Sequence, residues 1–308
     1  MIIKKDKFDE IMSVIKMTNN FPSLPEVIYK INNLMEDDTI SVNYIGNLMT
    51  KDISLSAKIL KIVNSPFYGF PQRIYNLNLA LVLLGSNTLK SIIITSSVFD
   101  LMKDVMKGLW EHSLFCGLTA KYIAKQINKD KQIIDEDLVF SAGLLHDIGK
   151  LIIAIKFKDD FNAIIKFADE EKRVYVEAEK EILNISHADV GYYLTKQWNY
   201  PASICTPIRF HHDFLMLYKN ENINKNYNIK SIANYKNKLY SSNNYIIETA
   251  IINLSDILTK SLGIGFSGSI YVDEIKNEIM EVLSIDLDFL KKVIEEIYYF
   301  KDELNAFN

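Results

Sequence analysis

The chain has 308 residues, 48% of them hydrophobic and 24% charged, with a formal net charge of −4 and a mean hydropathy of +0.02. Such a chain is long enough for roughly two domains around a large core, which excludes general disorder. Acids and bases are intermixed, so no basic stripe points to nucleic acid.

The start, Met1-Ile2-Ile3-Lys4-Lys5-Asp6-Lys7, turns charged at once and lacks the apolar run of a secretory signal. Apolar runs such as Leu79 to Leu84 fall short of the ~20 residues of a membrane span. Cys116 and Cys205 fit neither a CxxC spacing nor a disulfide framework. The expectation is a cytoplasmic protein with two buried thiols.

Ser23-Leu24-Pro25-Glu26 reads as a capping box opening a helix to about Met35. Ser41 caps a second helix bearing Val42, Ile45, Leu48 and Met49, and Asp52 a third bearing Leu55, Ile59, Leu60 and Val63. The cluster from Asn64 to Pro71 is a turn, either packed on the next helix or offered to a partner. Leu77 to Leu84 is helical, Gly85 ends that helix, and Ser86 opens another to about Met102. Within it, Ile92-Ile93-Ile94-Thr95 has strand propensity but no pairing partner, so helix is preferred.

A composition break at residues 103–108 divides the chain into an N-terminal region, 1–105, and a second region, 106–308. The second region opens with a helix from Leu109 to about Asn128. Asp135 or Asp137 caps the next, which delivers His146 and Asp147 near its C-terminal end. Helices at 157–168 and 174–183 follow, then one capped by Ser186 with His187 in its first turn, and one from Ala202 ending at His211-His212. Residues 220–244, crowded with Asn, Lys, Tyr and Ser, read as a flexible loop or a weakly formed helix insertion. Ile246 to Leu262 is an apolar helix with Asp256 as its central charge, and helices at 272–283 and 287–304 close the chain. The fold class is all-α.

All five histidines, His112, His146, His187, His211 and His212, fall in the second region. Taken singly, each has a structural reading. His112 fits a core histidine, His187 a first-turn residue facing water, and His211-His212 a complement to a helix C-terminus. Asp256 amid Ile251, Ile252, Leu254, Ile257 and Leu258 is harder to explain without a partner, because a buried carboxylate needs one.

Together with Asp147 they form a nitrogen and carboxylate donor set for two divalent metals such as iron, manganese or zinc. Adjacent residues on a helix point about 100° apart, so His146 and Asp147 reach one metal only where a helix ends. There the carboxylate can bridge two ions ~3.5–4 Å apart, which lower the pKa of a bound water. Lys150 either holds a phosphate oxygen as a point charge or is a solvated lysine at the helix end.

The order His112, His146-Asp147, Asp256 resembles the HD superfamily of metal-dependent phosphohydrolases, and His187 with His211-His212 resembles its dinuclear phosphodiesterase branch. Phe21-Pro22-Ser23-Leu24-Pro25, Ala57 to Ser65, Leu83-Leu84-Gly85, Trp110-Glu111-His112-Ser113, Gly143 to Gly149 and His187 to Gly191 are together similar to the HDOD domain, the HD-related output domain of bacterial signalling proteins.

That resemblance implies an N-terminal helical bundle packed on an HD-like core and a role in signal transduction. The implied partner is a signalling protein or nucleotide ligand. The apolar C-terminal helix, by its own pattern, packs either internally or across a homodimer. It leaves two readings. One is a regulator that keeps its metal site; the other is a phosphohydrolase or phosphodiesterase in which Asp147 and Lys150 are catalytic. Gly108 stands one turn before His112, where trinuclear relatives carry a carboxylate, which argues against a third metal. No Gly-Tyr-Pro follows Lys150, which argues against cyclic di-GMP as substrate.

Overall fold

The computed structural model describes residues 10, 11, 13, 14, 53–64, 68, 70–85, 88, 89, 91, 92, 106–131, 134–223 and 245–306. These residues are all-α, with no strand among them. The expected helices opening at Ser23 and Ser41 lie outside the described residues.

In the N-terminal region α1 (Ile53–Val63) packs on α2 (Leu77–Leu84). Asn64 closes the connection between them: its Nδ2 donates to Leu60 O at 2.8 Å and Ile74 O at 2.7 Å, and its Oδ1 accepts from Ile74 N at 2.7 Å. Tyr68 packs edge-on against Phe140, so the described part of this turn is folded inward. Asn76 caps α2 through its side chain, and Gly85 ends it at φ 72°. Residues 88, 89, 91 and 92 are helical, as the expected helix after Ser86 requires.

The second region contains α3 (Leu109–Lys131), α4 (Glu136–Leu145), α5 (Ile148–Lys156), α6 (Lys158–Glu170), α7 (Tyr175–Leu183), α8 (His187–Gln197), α9 (Ala202–Phe210), α10 (Phe214–Ile223), α11 (Ile246–Ser261), α12 (Asn277–Leu283) and α13 (Leu287–Ala306). Asp135 caps α4 by accepting from Asp137 N and Leu138 N. Residues 136–156 are together long and apolar enough to cross a membrane, more than the apolar runs had suggested, but they lie mostly buried inside the protein. A turn at His146-Asp147 divides them into α4 and α5.

Leu151 to Lys156 belong to the helix α5, and α10 runs to Ile223, into the start of the stretch read as a loop or a weakly formed helix insertion. One boundary is corrected. The helix expected from Val272 begins at Asn277, and residues 264–276 cross the protein without regular structure. The C-terminal helix α13 packs internally: Leu290, Val293, Ile297 and Phe300 are buried, with Phe300 against Tyr122 of α3.

Two glycine contacts set how closely these helices meet. Where α3 crosses α4, a Cβ on Gly143 would stand 2.8 Å from Gly117 Cα. Where α5 meets α8, a Cβ on Gly149 would stand 2.0 Å from His187 O. Only a missing side chain permits either approach, and each brings one histidine-bearing segment against another.

Candidate metal centre

His112 sits on α3, His146 and Asp147 in the turn between α4 and α5, and His187 at the first position of α8. His211 and His212 directly follow α9, and Asp256 is on α11. Local sequence explains these placements. Ser186 and Asp189 form a reciprocal capping box that fixes where α8 begins. Asp147, at φ −94° and ψ 6°, lies where the helical backbone breaks, so its side chain and that of His146 turn to the same interior.

The structure brings all seven residues into one cluster, six of them buried and His212 partly so. His112 Nε2, His146 Nε2 and Asp256 Oδ1 form a first trio, with separations of 3.3, 3.0 and 3.4 Å. His187, His211 and His212 form a second, their candidate donor atoms within 4.8 Å of one another, with His187 Nε2 3.3 Å from His211 Nε2. Asp147 stands between the trios. Its Oδ2 lies 3.4 Å from His146 Nε2 and 3.6 Å from His112 Nε2, whereas its Oδ1 lies 3.1 Å from His187 Nε2.

The outer edges of the rings show which nitrogen faces inward. His146 Nδ1 pairs with Gly143 O and His211 Nδ1 with Ile208 O, both at 2.7 Å. His187 Nδ1 pairs with the Glu179 carboxylate. A neutral imidazole that donates from Nδ1 presents the Nε2 lone pair. Facing lone pairs at 3.3 Å repel unless a cation lies between them, and two nitrogens held ~2.05 Å from one ion at the tetrahedral angle stand ~3.3 Å apart. Asp147 Oδ1 and Asp256 Oδ1 are buried without a hydrogen-bond partner among the described residues. The donor chemistry and spacing fit divalent metal.

Burial and neighbouring charge compete at each of these groups. Burial works against charge on Asp147, yet His146, Lys150 and His187 hold its carboxyl well below the usual range. Burial likewise opposes Asp256, and Lys260 with His112 and His146 overcomes it. Burial pushes the imidazoles of His112, His211 and His212 down. On His146 the same burial is outweighed, chiefly by Asp147, and that ring is raised well above the ordinary histidine value.

Lys150 is not the solvated lysine at a helix end that was one of its two readings. It is fully buried, and its ammonium donates to Asp147 Oδ2 at 2.7 Å and to Ser267 O at 2.8 Å, 4.8 Å from the centre of the Tyr175 ring. Burial lowers its pKa against the pull of Asp147.

Sequence reasoning missed several contributors. Lys260, one turn after Asp256, donates to its Oδ2 at 2.7 Å. Glu179 is fully buried on α7, between the buried Tyr175 and Leu183 four residues to either side. A carboxylate on an apolar helical face was the available signal, the same one that singled out Asp256. The segment after α11 covers the cluster: Phe266 N donates to Gly108 O at 3.2 Å, Ser267 O accepts from Lys150, and Ser269 Oγ donates to Arg173 O at 3.0 Å. A Cβ at Gly108 would stand 2.8 Å from Phe266 N, so the position preceding His112 has no room for a carboxylate side chain.

Comparison with known proteins follows this geometry. The HDOD domain family matches residues 21–214. An HDOD domain protein of unknown function from Geobacter sulfurreducens, solved as a crystal structure, has a TM-score of 0.64 at 26% identity, covering 98% of this chain and 96% of that one. A candidate phosphohydrolase from Shewanella amazonensis SB2B shares the fold, with a TM-score of 0.60 at 18% identity over 94% of this chain and 93% of its own. An uncharacterized protein of Treponema pallidum (strain Nichols) is 24% identical over 204 residues, 65% of this chain, which spans 39% of that relative's length.

Proposed function

The chain belongs to the HDOD domain family, and we propose that it is a cytoplasmic bacterial signal-transduction output protein that keeps a dinuclear metal centre. In this reading residues 1–105 form the HDOD helical subdomain and residues 106–308 carry the metals. His112, His146, Asp147 and Asp256 hold one ion; Asp147, His187, His211 and His212 hold the other. The observation that carries the reading is Asp147, whose two oxygens face the two trios separately. All donors are nitrogen or carboxylate oxygen, which suits iron, manganese or zinc.

A phosphohydrolase or phosphodiesterase acting on a nucleotide is the second reading, favoured by the complete donor set and by the fold shared with the Shewanella protein. A bound metal pair would supply a water of lowered pKa as nucleophile. In that reading Asp147 bridges the ions, and Lys150 acts through Asp147, because its ammonium is already bonded there. Burial of the donors favours the signalling reading, since turnover needs an open position and room for substrate.

Elemental analysis of the purified protein, followed by assays on bis-p-nitrophenyl phosphate and cyclic nucleotides, separates the two. About two ions per chain, falling in Asp147→Ala, with no turnover, supports the output protein. Turnover abolished by Asp147→Ala establishes the hydrolase instead. A chain free of metal after aerobic and anaerobic purification, and refusing reconstitution, overturns both readings.

A further inference from the structure

We infer that Glu179 is the positioning residue of the second half of the centre, orienting His187 and setting how tightly the second ion is held. The inference rests on the dinuclear reading and adds to it a residue that is not itself a ligand.

Glu179 is fully buried. Its Oε2 accepts from both His187 N and His187 Nδ1, while its Oε1 has no hydrogen-bond partner among the described residues. A carboxylate taken this far from water is costly unless its position does something for the structure around it. Here it accepts twice from one residue. The backbone bond fixes the first turn of α8, and the ring bond fixes the rotation and tautomer of the imidazole.

The consequence lies on the opposite edge of that ring. With the proton on Nδ1, the Nε2 lone pair faces Asp147 Oδ1 at 3.1 Å and His211 Nε2 at 3.3 Å. A carboxylate behind an imidazole also makes its far nitrogen a better donor. The two trios differ in this respect. His146 and His211 are oriented by neutral backbone carbonyls, and His112 Nδ1 has no partner among the described residues. Among the described residues, carboxylates stand behind rings of the second trio alone: His187 Nδ1 is paired with the fully buried Glu179, and His212 Nδ1 lies 3.4 Å from Asp273 Oδ2, a more exposed and longer contact. Glu179 therefore acts on the second ion and leaves the first largely alone.

The test uses the full chain stripped with chelator and titrated with zinc, comparing wild type, Glu179→Ala and Glu179→Gln. Nitrogen NMR of the histidine rings in the metal-free proteins is the readout independent of metal. Wild type is expected to take up two ions, with His187 protonated at Nδ1. Glu179→Ala keeps the first ion at wild-type affinity, loses ~10–100-fold on the second, and lets the His187 tautomer mix. Glu179→Gln, whose amide oxygen still accepts from Nδ1, restores the tautomer and most of the affinity.

If the alanine variant does not fold, the glutamine variant carries the test: a several-fold loss confined to the second ion, with the tautomer kept. Equal loss at both ions, loss at neither, or a glutamine variant no better than alanine overturns the proposal. Failure of wild type itself to bind zinc overturns the dinuclear reading, and the proposal with it.

Discussion

Replacing Lys150 with methionine gives a measurable test of how the centre is held together without metal. Methionine keeps an unbranched apolar stem beneath Tyr175 but removes the ammonium that touches Asp147 Oδ2 at 2.7 Å and Ser267 O at 2.8 Å. At that separation, and an effective dielectric of ~20, the attraction to Asp147 is about 6 kcal/mol. Much of it offsets the cost of burying both charges, so the pair itself adds less. Breaking it is another matter, because Asp147 is left buried without its nearest cation, at a cost of about 3–5 kcal/mol. Ser267 O loses a donor for about 1 kcal/mol more.

The expected loss of about 5 kcal/mol is a large share of the ~5–15 kcal/mol that holds a typical domain folded. Urea unfolding of chelator-stripped wild type and Lys150→Met measures it as a shift in midpoint at constant slope. Zinc at saturating concentration, by placing new positive charge against Asp147, is expected to recover part of the loss. A loss below about 1 kcal/mol in the stripped proteins refutes the assignment of Lys150 as the internal counter-charge.

Gly149→Val drives a branched side chain toward His187 O, which a Cβ alone would already meet at 2.0 Å. Overpacking of this kind costs about 3 kcal/mol, and it should weaken zinc binding as well as lower the unfolding midpoint. Ser186→Ala breaks the capping box that starts α8; about 1 kcal/mol of stability is expected to go in urea unfolding, with a smaller effect on metal. Stripping the ions from a chain held at a thousandfold excess of zinc over its dissociation constant removes about 4 kcal/mol per site, read as a fall in Tm that added zinc reverses.

Much of this architecture is legible in the residues because local signals agree with one another. Asp135 and Ser186 are caps, Gly85 is a stop, and apolar positions three and four apart mark the buried faces. Asp256 announced itself as a charge on an apolar helix. Glu179 carried the same signal but is flanked by Glu177 and Glu181, so the sequence reads there as a charged, solvated stretch. The burial of Lys150 depends on Ser267, 117 positions away, and no local pattern encodes a partner at that distance. The early start read for α12 followed from Val272 and Ile275, apolar residues that belong to the crossing segment.

That crossing segment has a consequence in the order in which the chain is made. Synthesis runs from the N-terminus, so His112 through His212 leave the ribosome before Asp256, and only a few residues after Asp256 comes the cover formed by residues 264–269. The last carboxylate of the cluster and the segment that covers it therefore arrive on one short stretch of chain, so the cluster cannot be both complete and open to solvent for long during synthesis.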